Sequence, residues 1–364
     1  MNSLVRWKTS AAGSAMTDSA PNSANTTPHR RRRRYAGKYP RRFEEKYKER
    51  DPAKYADTIE KVLASGKTLA GTHRSIMVAE ILEVLAPQPR EIAVDCTLGY
   101  GGHTQELLKR VLPGGRLLGL DADPIELPKT EARIRSLGYG PDAFIAQRSN
   151  FAGLPRILAG ARIDGVDLIL ADLGISSMQI DDPARGFSTK ANGPLDMRMN
   201  PQRGQSAAAL LARIQPAALL EMLVANADEP HAAMLAPALA GQSFRTTAEL
   251  AGAIRASLPR LKKEEAGLAI RRVFQALRIA VNDEFSALDS LLRVLPGCLR
   301  PGGRVAMLTF HSGEDRRVKR ALHAGLLAGD FAEISPEVVR PSPAERRANP
   351  RSTPAKLRWA RKAD

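Results

Sequence analysis

The sequence predicts an α/β protein: a doubly wound parallel sheet that carries an inserted all-helical piece. Three observations point there. From about His73 onward, short apolar strands alternate with helical stretches. One strand runs into the glycine loop Leu98-Gly-Tyr-Gly-Gly-His103, and the next ends on an acid, Asp121. Between Ser206 and about Leu268 the strands vanish and Ala- and Leu-rich helices take over.

The chain begins with a tail of Ser, Ala, Asn, Thr and Pro that runs into Arg30-Arg31-Arg32-Arg33-Arg34. It holds too little apolar surface to offset the entropy of ordering, so residues 1–70 read as a disordered basic extension. A helix is expected within it over 41–64, on the apolar stripe Phe43, Tyr47, Tyr55, Ile59, Val62 and Leu63. The tail reads either as a solvated segment or as an electrostatic arm for RNA phosphates.

The elements of the main domain are expected as follows. Helix 76–85 leads to strand 92–96, helix 104–111 to strand 116–120, and helix 131–137 to strand 143–147. Strand 166–172 precedes the insertion. Inside the insertion the periodicity gives helices over 207–214, 216–225, 231–239 and 247–257. After Pro301-Gly302-Gly303 the strand pattern resumes over 305–310, and a last strand is expected near 356–360. The resulting division is a sheet domain over 71–200 and 270–364, with a helical subdomain over 201–269 covering the carboxyl edge of the sheet. Open α/β sheets bind their ligands at that edge.

Composition narrows the function. Lys and Arg exceed Asp and Glu by 55 to 39, a net charge of +16, which favours a polyanionic partner, nucleic acid before membrane. No run of about eighteen apolar residues exists, so no membrane span is expected. Only Cys96 and Cys298 occur, and no apolar leader is visible, which fits a reducing, cytoplasmic setting. Oligomeric state is not legible.

Four strand ends converge on the carboxyl edge. They bring the loop 95–103, Asp121, Asn150 with Phe151, and Asp172 together. Gly99, Gly101 and Gly102 allow close approach of backbone to a ligand. Asp121 follows Gly99 by about the twenty residues that place a carboxylate on ribose hydroxyls. Phe151 is suited to stacking on adenine, and Asp172 lies at the switch point, facing a reacting centre. The long polar stretch after Asp172 reads as a binding loop or lid. Its Arg185 and Arg198 are candidates for phosphate contact, although Asp181, Asp182 and Asp196 stand ready to pair with them. Beyond the fifth strand, His311 is a candidate proton carrier, and Arg316, Arg317 and Lys319 belong to a basic face. Here Ser312 reads as a helix cap with Asp315 at its third position, while Glu314 and Asp315 read equally as site or cap. No His or Cys lies at metal-ligand spacing, so no metal is expected. At this level a nicotinamide dehydrogenase and a non-catalytic RNA-binding protein remain alternatives.

Several long motifs then carry a resemblance. Asp95-Cys-Thr-Leu-Gly-Tyr-Gly-Gly-His, Asp172-Leu-Gly-Ile-Ser-Ser-Met-Gln-Ile-Asp, Arg185-Gly-Phe-Ser, Gly193-Pro-Leu-Asp-Met-Arg-Met, Phe274-Gln-Ala-Leu-Arg-Ile-Ala-Val-Asn and Phe310-His-Ser-Gly-Glu-Asp together resemble the MraW/RsmH family. Gly313 stands where a leucine is common. The resemblance spans about His73 to Ala360 and includes Asn349-Pro-Arg-Ser-Thr-Pro-Ala-Lys-Leu-Arg. It implies a class I (Rossmann-like) S-adenosylmethionine methyltransferase sheet. The implied activity is N4-methylation of a decoding-region cytosine in the 16S ribosomal RNA of the small subunit. It further implies that Gly101, Gly102, His103, Asp121, Phe151, Asp172 and Gln179 line the cofactor site, with Asp172 and His311 the candidates for catalysis.

Overall fold

The structure is a computed structural model, and it describes residues 75–364. The extension expected over 1–70 and its helix over 41–64 lie outside the described residues.

A seven-stranded sheet in the order β3-β2-β1-β4-β5-β7-β6 forms the frame. Helix α1 (Val78–Leu85) precedes β1 (Ile92–Asp95), and α2 (Gly102–Val111) precedes β2 (Arg116–Asp121). Next come α3 (Glu126–Ser136), β3 (Phe144–Arg148), α4 (Leu154–Gly160) and β4 (Val166–Asp172). These four strands and β5 (Leu299–Thr309) run parallel, as the alternating pattern requires. Their central residues are buried on both faces. One layer packs Leu107, Leu108 and Ile134 against the sheet, and the other packs Leu154, Leu288, Leu291 and Val318.

The last strand departs from an all-parallel sheet. Helix α12 (Ser312–Ala328) leads to β6 (Phe331–Ile334), which the sequence pattern did not reveal. The chain then turns through α13 (Pro343–Ala348), and β7 (Lys356–Lys362) enters antiparallel between β5 and β6. Only a crossover that returns to the starting end of the sheet yields a parallel neighbour, and this connection does not return. The strand β5 also begins earlier than expected. The register shifts between Val166 and Leu168, so Pro301-Gly302-Gly303 is absorbed as an irregularity within the strand.

Between β4 and β5 lie the short α5 (Ser177–Asp181), then α6 (Ala207–Arg213), α7 (Pro216–Ala227), α8 (Ala232–Leu239) and α9 (Thr247–Ser257). They are followed by α10 (Lys263–Asn282) and α11 (Glu284–Cys298). Helices α6 to α10 share a core of their own, built on Leu211, Leu219, Leu235, Ile254 and Val273. The 20-residue α10 runs unbroken through residue 270, where the sequence reading set a boundary. One face of α10 is buried among the inserted helices, and its C-terminal end reaches the carboxyl edge of the sheet.

Candidate active site

A cavity of about 840 Å³ opens at the carboxyl ends of β1, β2 and β4. Its first wall is the loop between β1 and α2. Asp121, at the end of β2, receives the Gly99 amide on one oxygen and the Asp123 amide on the other, each at 2.8 Å. The acid therefore shapes the loop as well as facing the cavity. Gly101 is left-handed at φ 75°, and a Cβ there would crowd Thr130 and Ile134 at 3.1 and 3.2 Å. Below the loop, buried Asp95 holds the Thr104 hydroxyl at 2.7 Å, and the Thr97 hydroxyl receives the Asp172 amide at 2.7 Å. Phe151 and Asn150 border the same end, with Asn150 capping the short turn that carries Phe151.

Asp172 and His103 form the middle. The Nε2 of His103 lies 2.9 Å from the Ile76 carbonyl, which can only accept, so that nitrogen carries a proton. Its Nδ1 then faces the Asp172 carboxylate at 3.7 Å. Burial pushes the Asp172 carboxyl up to about 6; the His103 ring opposes the shift, while Asp95 and Glu314 add to it. Burial likewise lifts Asp121 to about 6, against the pull of its two amide donors.

Gln179 lines the cavity, but its amide is engaged within the protein. It completes a capping box with Ser176 and donates to Asp123 at 2.8 Å. Asp123 is fully buried and also receives Arg185 at 2.7 Å. Arg185 is itself 8% exposed and donates to the carbonyls of Arg198 and Met199. The expectation that Arg185 meets phosphate is therefore corrected: its guanidinium is an internal strut that fixes the loop after β4. Arg198 binds Asp196 through two nitrogens at 2.8 and 2.7 Å, away from the cavity lining.

The far wall comes from helices distant in sequence: Arg271, Arg278 and Asn282 from α10, Phe285 from α11, and Glu314 from α12. Arg278 and Glu284 form a paired fork at 2.8 Å on both bonds. Asn282 receives the Met199 amide and donates to the Met197 carbonyl, which ties the long loop to α10. A strap from the C-terminal region, Pro350 to Pro354, closes one side, and Arg351 grips Asp181 at 2.6 Å.

His311 requires a correction. It is the N-cap of α12, accepting the Glu314 amide on Nδ1 at 3.4 Å, and it does not line the cavity. Ser312 is not the cap. The residue that faces the cavity is Glu314; Asp315 instead binds Lys356 and Arg358 at 2.7 Å, fastening α12 to β7. Gly313 also finds its reason, since a Cβ there would strike the Phe285 ring at 2.6 Å. Asp123 and the α10 residues were missed by the sequence reading. The pair Asp121-Ala-Asp123 was a local signal for the first; the motif from Phe274 to Asn282 contained Arg278 and Asn282, but gave no sign that they reach the sheet edge.

The basic face is exposed and partly paired. Arg316 meets Asp228 at 3.1 Å, and Arg317 lies 3.7 Å from the centre of the Phe285 ring and 3.3 Å from Asp289. Lys319 is exposed. With Arg293 and Arg320, the two arginines border a second cleft between α11 and α12. Among the described residues no helix is long and apolar enough to cross a membrane.

Comparison with known proteins gives one answer. Residues 70–363 match the model of a family described as the MraW methylase family. A protein of Lachnoclostridium phytofermentans, ribosomal RNA small subunit methyltransferase H 1, is 48% identical, covering 92% of this chain and 93% of that one. A protein of Agathobacter rectalis with the same name is 47% identical, over 92% and 98%. A ribosomal RNA small subunit methyltransferase H of Myxococcus xanthus is 40% identical, over 80% and 97%.

Proposed function

We propose, from the premise that this chain belongs to the MraW methylase family, that it methylates N4 of a decoding-region cytosine in the 16S ribosomal RNA of the small subunit. The observation that carries this reading is a single cavity that joins the Asp121-anchored glycine loop to the Asp172 carboxylate. When bound, S-adenosylmethionine supplies an electrophilic methyl group.

The residues present fit that cofactor. Gly101 and Gly102 line the cavity, and at Gly101 a Cβ would crowd Thr130 and Ile134, so the glycine lets the loop pack closely on α3. Asp121 offers acceptor lone pairs to ribose hydroxyls, and Phe151 offers a flat face to adenine. His103 and Gln179 complete the lining, with Gln179 holding α5 in place.

The acceptor nitrogen is a poor nucleophile because its lone pair is delocalised into the pyrimidine ring. Asp172 accepts a hydrogen bond from that amino group and stabilises the positive charge that develops on nitrogen. Ionised Asp172 takes the departing proton, with the His103 ring packed beside it at 3.7 Å. The cavity walls would hold the acceptor nitrogen in line with the methyl group and exclude water. The base enters unstacked from its strand. Arg316, Arg317 and Lys319 supply sequence-independent phosphate affinity on the exposed face. The helices over 201–269 act as an inserted subdomain that presents the RNA to the sheet.

The test is direct. Purified chain, labelled S-adenosylmethionine and small-subunit particles lacking the modification are incubated, and the RNA is digested to nucleosides. Label in N4-methylcytidine supports the reading, and label in any other nucleoside overturns it.

A further inference from the structure

The methyl-transfer reading uses Asp172 on one wall of the cavity and leaves the opposite wall without a task. Glu314 stands there, 3% exposed, with one carboxylate oxygen receiving the Phe310 amide at 2.8 Å. The other oxygen lies 3.0 Å from His311 Nε2, off the line of a well-aligned hydrogen bond. Because His311 Nδ1 already accepts the Glu314 amide, the proton of a neutral ring sits on Nε2, on the carboxylate's side but not aligned with it. Burial alone would raise the Glu314 carboxyl, but the His311 ring, Arg278 and the Phe310 amide outweigh it and hold the group below its usual range. These neighbours favour the ionised form of Glu314, and each of its oxygens keeps a second lone pair.

Its position is equally specific. A side chain on Gly174 would come within 4.0 Å of both the Glu314 carboxylate and the Phe310 ring. The carboxylate therefore looks across bare backbone, two residues from Asp172. Phe285 and Phe310 line the same cavity. An ionised carboxylate beside aromatic walls accepts hydrogen bonds and donates none. A 4-aminopyrimidine presents two N–H groups to such a site. A 4-oxopyrimidine presents lone pairs to the same anion and is repelled.

We propose that Glu314 is the specificity residue that takes the exocyclic amino group of the acceptor pyrimidine, opposite Asp172, and excludes uracil. The inference rests on the methyl-transfer reading but concerns only base choice. His311 is then a positioning residue that keeps Glu314 charged and aimed.

Base choice is measured on the full chain saturated with S-adenosylhomocysteine, titrated with cytidine or uridine 5′-monophosphate. The parent is expected to prefer cytidine by about tenfold or more. Glu314→Gln, whose amide donates as well as accepts, is expected to level the two within threefold while S-adenosylhomocysteine affinity stays within twofold. A Glu314→Gln chain that keeps the cytidine preference overturns the proposal, as does a parent without one. If Glu314→Gln does not fold, Glu314→Asp serves: it retains the charge and is expected to keep the preference at weaker affinity, and loss of the preference in that variant counts against the proposal. A parent that binds cytidine selectively yet labels no ribosomal cytosine breaks the methyl-transfer reading instead.

Discussion

The two ends of the cavity are built by different means. The end proposed for the cofactor is made mostly of strand ends and the loops that leave them, over residues 95–151, with Gln179 added from α5. The end proposed for the acceptor faces Asp172 with a wall assembled from α10, α11, α12 and the strap at 350–354. A loop fixed by its own neighbours can be read from a short window of sequence. A wall drawn from helices far apart in sequence exists only once the chain has folded.

The comparison implies that damage at one end leaves the other working, and the largest expected effect lies beneath both. Arg185→Met strips a charged partner from fully buried Asp123. We expect a loss of about 3 kcal/mol, measured by denaturant unfolding. RNA affinity and its salt dependence should stay unchanged if Arg185 is the internal strut its burial indicates. A variant of parental stability with a weaker salt dependence would restore the phosphate role.

At the acceptor end, Asp172→Asn should reduce methyl transfer by about 100- to 1,000-fold. S-adenosylhomocysteine affinity, followed by calorimetry, should move far less. At the cofactor end the split reverses. Asp121→Ala removes the ribose acceptor and both amide anchors, and cofactor affinity should fall by about 100-fold. Equal losses of affinity in the two variants would erase the distinction between the ends.

The pH dependence sharpens it further. Burial holds Asp172 at about 6 in the folded chain, above its ordinary 3.8. The folded state thus binds this proton more tightly than the unfolded state. Its contribution to stability is full below about pH 4 and is lost as pH rises through 6. Asp172→Asn lacks this titration, so its thermal midpoint should gain on the parent between pH 4 and 7. In the parent, transfer should fall about tenfold per pH unit below 6, because the base must be ionised. The smallest effect belongs to the surface. Lys319→Ala should weaken RNA binding only a few-fold and lower the slope of log affinity against log salt by about 1.

What the sequence disclosed follows the same division. Gly101, Asp121, Phe151 and Asp172 were legible because each ends a strand or opens a helix, and the chain spacing fixes their common edge. The alternation of parallel strands with helices was legible for the same reason, whereas their order across the sheet came from the fold. His311 misled because a polar residue after a strand suits both a proton carrier and a cap; only the fold shows its ring committed to Glu314. Arg185 misled because a polar loop gives no hint of burial, and the partner that buries it, Asp123, lies 62 residues away. Arg278 and Asn282 sit on an amphipathic helix whose pattern announces its core face. Nothing in that pattern says where its C-terminal end arrives.

The most direct measurement is a crystal structure of the chain with S-adenosylhomocysteine. Ribose hydroxyls on Asp121 and the sulfur turned toward Asp172 are the predicted result. A ligand seated in the cleft between α11 and α12, or one that leaves Asp121 untouched, would contradict the account.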